Sequence, residues 1–117
     1  MDSLKDQAAI VGIGETVYNR ESGRTELSMA VEAVKKAVAD AGLETSDIDG
    51  ILKFTADSTP QGELAACLGI PYLRFYGELG PLGGAACGLV LQAVLAVSRG
   101  MANHVLVYRS VNGRSGR

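Results

Sequence analysis

The apolar positions of this chain fall into four short runs and three longer periodic stretches, which alternate along its length. Ala8-Ala9-Ile10-Val11-Gly12-Ile13 is a short apolar run ending in glycine, the pattern of a buried strand. After a polar loop over 14–24, Leu27, Val31, Val34 and Val38 recur at helical spacing, with Glu32, Lys35, Lys36 and Asp40 on the other side. Thr25 is placed as the N-cap of that helix, with Glu26 in its first turn to meet the dipole. Gly42 follows as the C′ residue, with Leu43 as its apolar companion. Ile51-Leu52-Lys53-Phe54 reads as a second strand. The loop Asp57-Ser58-Thr59-Pro60 opens a short helix over Glu63 to Leu68, stopped by Gly69. Tyr72-Leu73-Arg74-Phe75-Tyr76 alternates and predicts a third strand. His104-Val105-Leu106-Val107-Tyr108 predicts a fourth.

Between the last two strands lies a different kind of helix. Residues 77–84 hold four glycines and Pro81, a loop of wide backbone freedom. From Ala85 to Val97 only Gln92 is polar. A surface helix needs one apolar stripe; one that is apolar all round must be covered on every side. The order β-α-β-α-β-α-β predicts an α/β fold with a mostly parallel sheet and helices on both faces. A chain of 117 residues is at most one domain. It is short of material to cover such a helix alone.

Composition narrows the function classes. With 47% hydrophobic and 21% charged residues the chain is globular rather than disordered. A net charge of −2 with no basic patch argues against nucleic acid as a partner. The apolar run at 85–97 is shorter than the roughly 18–20 residues a bilayer requires, so no membrane span is expected. The polar, acidic start Met1-Asp2-Ser3-Leu4-Lys5-Asp6 has no signal-peptide pattern, and a cytoplasmic location is expected. Cys67 and Cys87 lie in apolar helical contexts and read as reduced core thiols.

The candidate chemistry is sparse. Gly12-Ile13-Gly14 follows the first strand, but position 17, where a dinucleotide fingerprint needs its third glycine, is Val. These glycines more simply shape a turn. His104 has no cysteine or carboxylate cluster around it in sequence, so no metal site is expected. Asp47 and Asp49 read as turn and capping residues rather than an acid–base pair. Cys87 could have a thiol activated by the helix dipole. Its neighbours Ala86, Gly88, Leu89 and Val90 favour packing instead.

Several runs together carry a resemblance. Ala9 to Gly14, Ser22-Gly23-Arg24-Thr25-Glu26-Leu27, Asp40-Ala41-Gly42-Leu43 and Ser46 to Gly50 resemble the N-terminal half of thiolase-like proteins. The branch is that of nonspecific lipid-transfer and acetyl-CoA acetyltransferase-like proteins. Phe54-Thr55-Ala56-Asp57-Ser58, Gly83-Gly84-Ala85-Ala86 and Val107-Tyr108-Arg109-Ser110 look most like its steroid side-chain-cleaving aldolases. The resemblance covers residues 8–112, and it rests on order and spacing more than on any one motif.

What it implies is a single, incomplete domain over 1–117: one half of a fold whose two halves stack as α-β-α-β-α, each with a five-stranded sheet. The all-apolar helix would be this half's contribution to the central layer, and the fifth strand has no segment here. Thiolases place an acyl-accepting cysteine at the start of that helix. The family spacing, counted back from Val105, lands on Gly83 rather than Cys87. The aldolase branch lacks the cysteine and performs retro-aldol cleavage of a CoA thioester. Its acid–base residues lie in the other half, so the chain alone is expected to be inactive. Coenzyme A enters as part of the substrate, with no separate bound cofactor. The backbone N–H groups of Gly83, Gly84 and Ala85 become candidates for holding a thioester or enolate oxygen. An acyl-CoA thioester, a second copy paired through Leu73, Arg74, Phe75, Tyr76 and Gly77, and a small zinc-ribbon/OB-fold protein are the partners implied. An acetyltransferase-type enzyme, a non-catalytic scaffold or lipid-binding subunit, and an inactive truncated product are the alternatives.

Overall fold

The computed structural model describes residues 4–17, 23–55, 59–80 and 85–110. Three helices and three strands alternate: α1 (Glu26–Ala41), β1 (Gly50–Phe54), α2 (Gln61–Leu68), β2 (Phe75–Leu79), α3 (Ala85–Ser98) and β3 (Val105–Tyr108). All strand pairs are parallel and the order is β2-β1-β3. The fold is α/β with helices on both faces of the sheet, as the alternation predicts. β1 is central and buried along its whole length.

The caps of α1 are those expected from sequence. Thr25 has extended backbone and its Oγ1 accepts the Ser28 N–H at 3.1 Å. Gly42 takes the left-handed conformation, φ +72°, in which an L side chain is disfavoured. The Leu43 N–H then reaches back to the Val38 carbonyl, satisfying an end of the helix. α2 is stopped in the same way by Gly69.

Two strand predictions are corrected. Residues 8–13 join no ladder among the described residues. They run antiparallel along α1, with Gly12 over Ala37 and Ala41 and Gly14 over Ala33 and Ala37. A Cβ at either glycine would collide with α1 backbone, so this approach needs glycine at both positions. The Ile13 N–H donates to Asp40 Oδ2 at 2.9 Å, and Lys36 Nζ donates to the Glu15 carbonyl at 3.1 Å. The segment lies along α1 instead of pairing with either edge of the sheet, β2 or β3, among the described residues. Ile10, Val11, Ile13 and Val17 are consequently exposed. The third strand lies three residues later than its alternation suggests. Arg74 and Phe75 both donate N–H groups to the Asp49 carbonyl, and the ladder begins there and continues to Leu79. Leu73 packs beneath it against the core.

Asp49 gathers the amino ends of the strands. Its carboxylate accepts the Asn103 and His104 N–H groups at 2.9 Å, and its own N–H donates to the His104 carbonyl. Arg74 lies 3.8 Å from the same carboxylate. Asp47 accepts the Glu44 N–H at 2.8 Å, closing a one-turn capping box. Both aspartates are structural, as their positions in the turn imply. His104 is half-buried with Nδ1 3.2 Å from the Asp47 carbonyl.

The core divides at the sheet. On one face Ile51 and Tyr108 pack with Ala30, Val34 and Val38 of α1 and Leu64 and Leu68 of α2. On the other, Leu52 and Phe54 pack with Leu89 of α3. The two cysteines are corrected here. Cys67 is exposed because α2 buries the Leu64 and Leu68 side. Cys87 is also exposed, on an α3 surface turned away from the sheet.

Candidate active site

A parallel sheet puts the carboxyl ends of all its strands, and the starts of the helices that follow them, at one end; ligands of open α/β sheets bind there. Here that end gathers Phe54 and Thr55 after β1, Gly80 after β2, and Arg109 and Ser110 after β3. It also holds the starts of α1, α2 and α3. The described residues of the three runs that carry the aldolase resemblance, Phe54 and Thr55, Ala85 and Ala86, and Val107 to Ser110, fall at this end.

The local geometry is knit by bonds between elements distant in sequence. The Thr55 N–H donates to the Leu79 carbonyl at 2.9 Å, which ties the ends of β1 and β2. The Tyr108 hydroxyl donates to the Thr59 carbonyl at 2.6 Å and holds the entrance of α2 against β3. The Arg109 guanidinium lies 4.5 Å above the Phe54 ring, within cation–π range. Ser110 Oγ donates to the Glu26 carbonyl at the first turn of α1. Glu26 Oε2 is buried with no hydrogen-bond partner among the described residues. Gln61, first residue of α2, donates Nε2 to the Gly77 carbonyl at 2.9 Å. Lys53 is buried in β1, with Nζ 3.7 Å from Glu78 on β2.

Sequence reasoning missed Lys53, Tyr108 and Arg109 as members of this end. The only signal was that their motifs terminate strands. Of the residues it did select, Gly83 and Gly84 lie outside the described residues, and Ala85 is the first residue of α3. Cys87 is the third residue of α3 and exposed, so it belongs to the first turn of the helix rather than to a deeper, packed turn. Phe75, Tyr76 and Gly77 lie on the edge strand β2, while Leu73 and Arg74 precede it.

Charge is otherwise concentrated on the outer face of α1. Hydrogen bonds from Lys36, then from Arg24, hold the Glu32 carboxyl below the usual range for glutamate. Among the described residues no cluster of three or more His, Cys, Asp or Glu side chains is placed to hold a metal ion. No helix among them is long and apolar enough to cross a membrane.

The layered unit, with its strand ends and helix starts gathered at one end, is a partial thiolase-like fold. A monomeric SCP2-thiolase-like protein from Mycobacterium smegmatis superposes with a TM-score of 0.70 over 84% of this chain at 22% identity, covering 22% of that protein. In sequence the chain is similar to steroid side-chain-cleaving aldolases. It is 51% identical over 116 residues to the steroid side-chain-cleaving aldolase of Thermomonospora curvata, covering 99% of this chain and 30% of the relative. It is 48% identical over 113 residues to the 17-hydroxy-3-oxo-4-pregnene-20-carboxyl-CoA lyase of Mycobacterium tuberculosis, covering 97% of this chain and 29% of that enzyme. The solved Ltp2-ChsH2(DUF35) aldolase matches with a TM-score of 0.90 and 51% identity over 93% of this chain and 28% of that one. No protein-family profile matches the chain. The chain thus spans under a third of the length of the curated relatives it matches.

Proposed function

We propose that this chain forms the N-terminal part of a thiolase-fold aldolase that cleaves the side chain of a lipid or steroid acyl-CoA thioester. The observation that carries the reading is the conjunction of this sheet end with 51% identity to a side-chain-cleaving aldolase along nearly the whole chain. The substrate would be a β-hydroxyacyl-CoA. A base takes the hydroxyl proton, the bond between the α and β carbons breaks, and the released electron pair becomes a thioester enolate. Protonation at the α carbon then yields a ketone or aldehyde and a shortened acyl-CoA. The backbone N–H groups of Gly83, Gly84 and Ala85, the run that leads into α3 in the sequence, would hold the enolate oxygen, since a helix N-terminus favours negative charge. The acid and base come from the part of the protein beyond this chain, and coenzyme A is carried by the substrate.

Cys87 separates this reading from a thiolase-like acyltransferase. It is exposed in the first turn of α3, where a substrate thioester could reach it. In the aldolase reading no thioester forms on the protein. Cys87→Ala in the intact protein should then keep activity within about threefold, on the order of 0.6 kcal/mol in barrier. Mass spectrometry with a β-hydroxyacyl-CoA should detect the ketone and shortened acyl-CoA but no acylated protein. Loss of turnover in Cys87→Ala, with an acyl adduct on Cys87 in the unsubstituted protein, would overturn it. We further propose a cytoplasmic protein that pairs with a second copy through β2 and works with a small zinc-ribbon/OB-fold protein. The partner reading is supported by the two-component name of the solved Ltp2-ChsH2(DUF35) aldolase.

A further inference from the structure

Arg109 is an exposed cation held in a fixed place at the ligand end of the sheet, and we infer that it anchors a phosphate group of the CoA substrate. This rests on the aldolase reading above and adds to it the group that grips the nucleotide end of the substrate. Both chain neighbours of Arg109 are tied to other elements. The Tyr108 hydroxyl donates to the Thr59 carbonyl at the entrance of α2, and Ser110 Oγ donates to the Glu26 carbonyl in the first turn of α1. Tyr108 is 7% exposed and Ser110 6%, so the backbone between them has little freedom. Arg109 itself is exposed, and its guanidinium carbon lies 4.5 Å from the centre of the buried Phe54 ring. The ring attracts the cation through its π face and takes up no N–H donor.

The surroundings select an anion of permanent charge. Arg24 and Lys53, the other described cations near this end, face carboxylates: Arg24 lies 2.7 Å from Glu32 and Lys53 3.7 Å from Glu78. Arg109 rests on a hydrocarbon ring, which holds the charge without neutralising it. α1, α2 and α3 all begin at this end, so the positive ends of their dipoles add to the same potential. Phe54 packs with Leu52 and with Leu89 of α3, so Arg109 lies on the α3 side of the sheet, the side proposed to receive the thioester. A β-hydroxyacyl-CoA carries two kinds of anion: phosphates that are charged throughout, and an enolate oxygen charged only during the reaction. An exposed guanidinium suits the first, since its planar fork matches phosphate and it is weakly hydrated. A transient charge is better served by donors in a dry site.

Kinetics of the intact protein test the assignment. Thioesters of one β-hydroxyacyl group are compared on CoA, on dephospho-CoA, which lacks the 3′-phosphate, and on pantetheine, which lacks every phosphate. Arg109→Gln should raise KM for the CoA thioester about tenfold or more, the scale of a charge-assisted hydrogen bond, with kcat within about twofold. The pantetheine thioester should show the same kcat/KM with either protein. A KM penalty that persists with the dephospho-CoA thioester places the contact on the diphosphate, and one that disappears places it on the 3′-phosphate. Arg109→Lys should recover part of the loss, because it keeps the charge and gives up the fork. A fall in kcat/KM of equal size with every thioester, pantetheine included, would overturn the assignment, being the mark of a structural role or of an arginine on the enolate. An unchanged KM for the CoA thioester would overturn it too, and would leave the aldolase reading standing. If the unsubstituted protein cleaves none of these thioesters, the aldolase reading itself fails.

Discussion

The two faces of the sheet are built from the same kinds of residue and reach different states. On the α1/α2 face the apolar side chains close on each other: Ile51 and Leu64 have no exposed surface, and Val34 has 2%. On the α3 face Leu52 and Leu89 are just as deep, yet the same helix shows Leu91 at 53% and Val90 at 40% exposure. The difference lies in the number of layers. α1 has charge on its outer side, where Arg24, Glu32 and Lys36 form a chain of ion pairs. α3 has no charged residue anywhere along it. One face of the sheet is therefore finished, and the other ends in an apolar surface that calls for a further layer.

That contrast can be broken experimentally. Ile51→Ala should cost about 3 kcal/mol of stability in urea denaturation, in the range for deleting a buried aliphatic side chain. The equivalent cut on the open face, Leu91→Ala, should cost under about 0.5 kcal/mol in this chain, and several times more in an intact protein of the proposed two-half fold. Equal costs in the chain alone would mean that the α3 surface is already packed. Asp49→Ala should cost about 2 kcal/mol, because it strands the Asn103 and His104 N–H groups that its carboxylate accepts. Thr25→Ala should cost about 1 kcal/mol through loss of the α1 cap, which supports the closed face alone.

The smallest effect expected is that of Glu32→Gln. The hydrogen bonds from Lys36 and Arg24 lower the Glu32 pKa, so the carboxylate stabilises the folded chain above the ordinary glutamate range. That contribution is lost as pH falls through the lowered value. The variant should melt slightly below the unsubstituted chain at neutral pH, and the gap should close on acidification. A gap that widens in acid would reverse the sign of the argument.

Local signals were readable and long-range ones were not. Thr25, Gly42 and Gly69 announced helix ends because a cap is a matter of a few neighbouring residues. The third strand was misplaced because Gly77 and Glu78 look like loop in any short window. Their place in the ladder follows from the Asp49 carbonyl, more than twenty residues away in the chain. Residues 8–13 have the composition of a buried strand, and composition cannot say whether the segment reaches a sheet edge or lies on a helix, as it does here on α1. The site was legible only as an order of motifs. The contact of Arg109 with Phe54, and that of Tyr108 with Thr59, join segments tens of residues apart.

The strand order also has a consequence for biosynthesis. β1 stands in the middle of the sheet, but one of its two neighbours, β3, is the last of the described strands in the chain, and Asp49 waits 54 residues for the Asn103 N–H. A chain leaving the ribosome can therefore assemble α1, β1, α2 and β2 early, while the other edge of β1 stays bare. During that interval the open edge of β1 is a template that another strand could occupy.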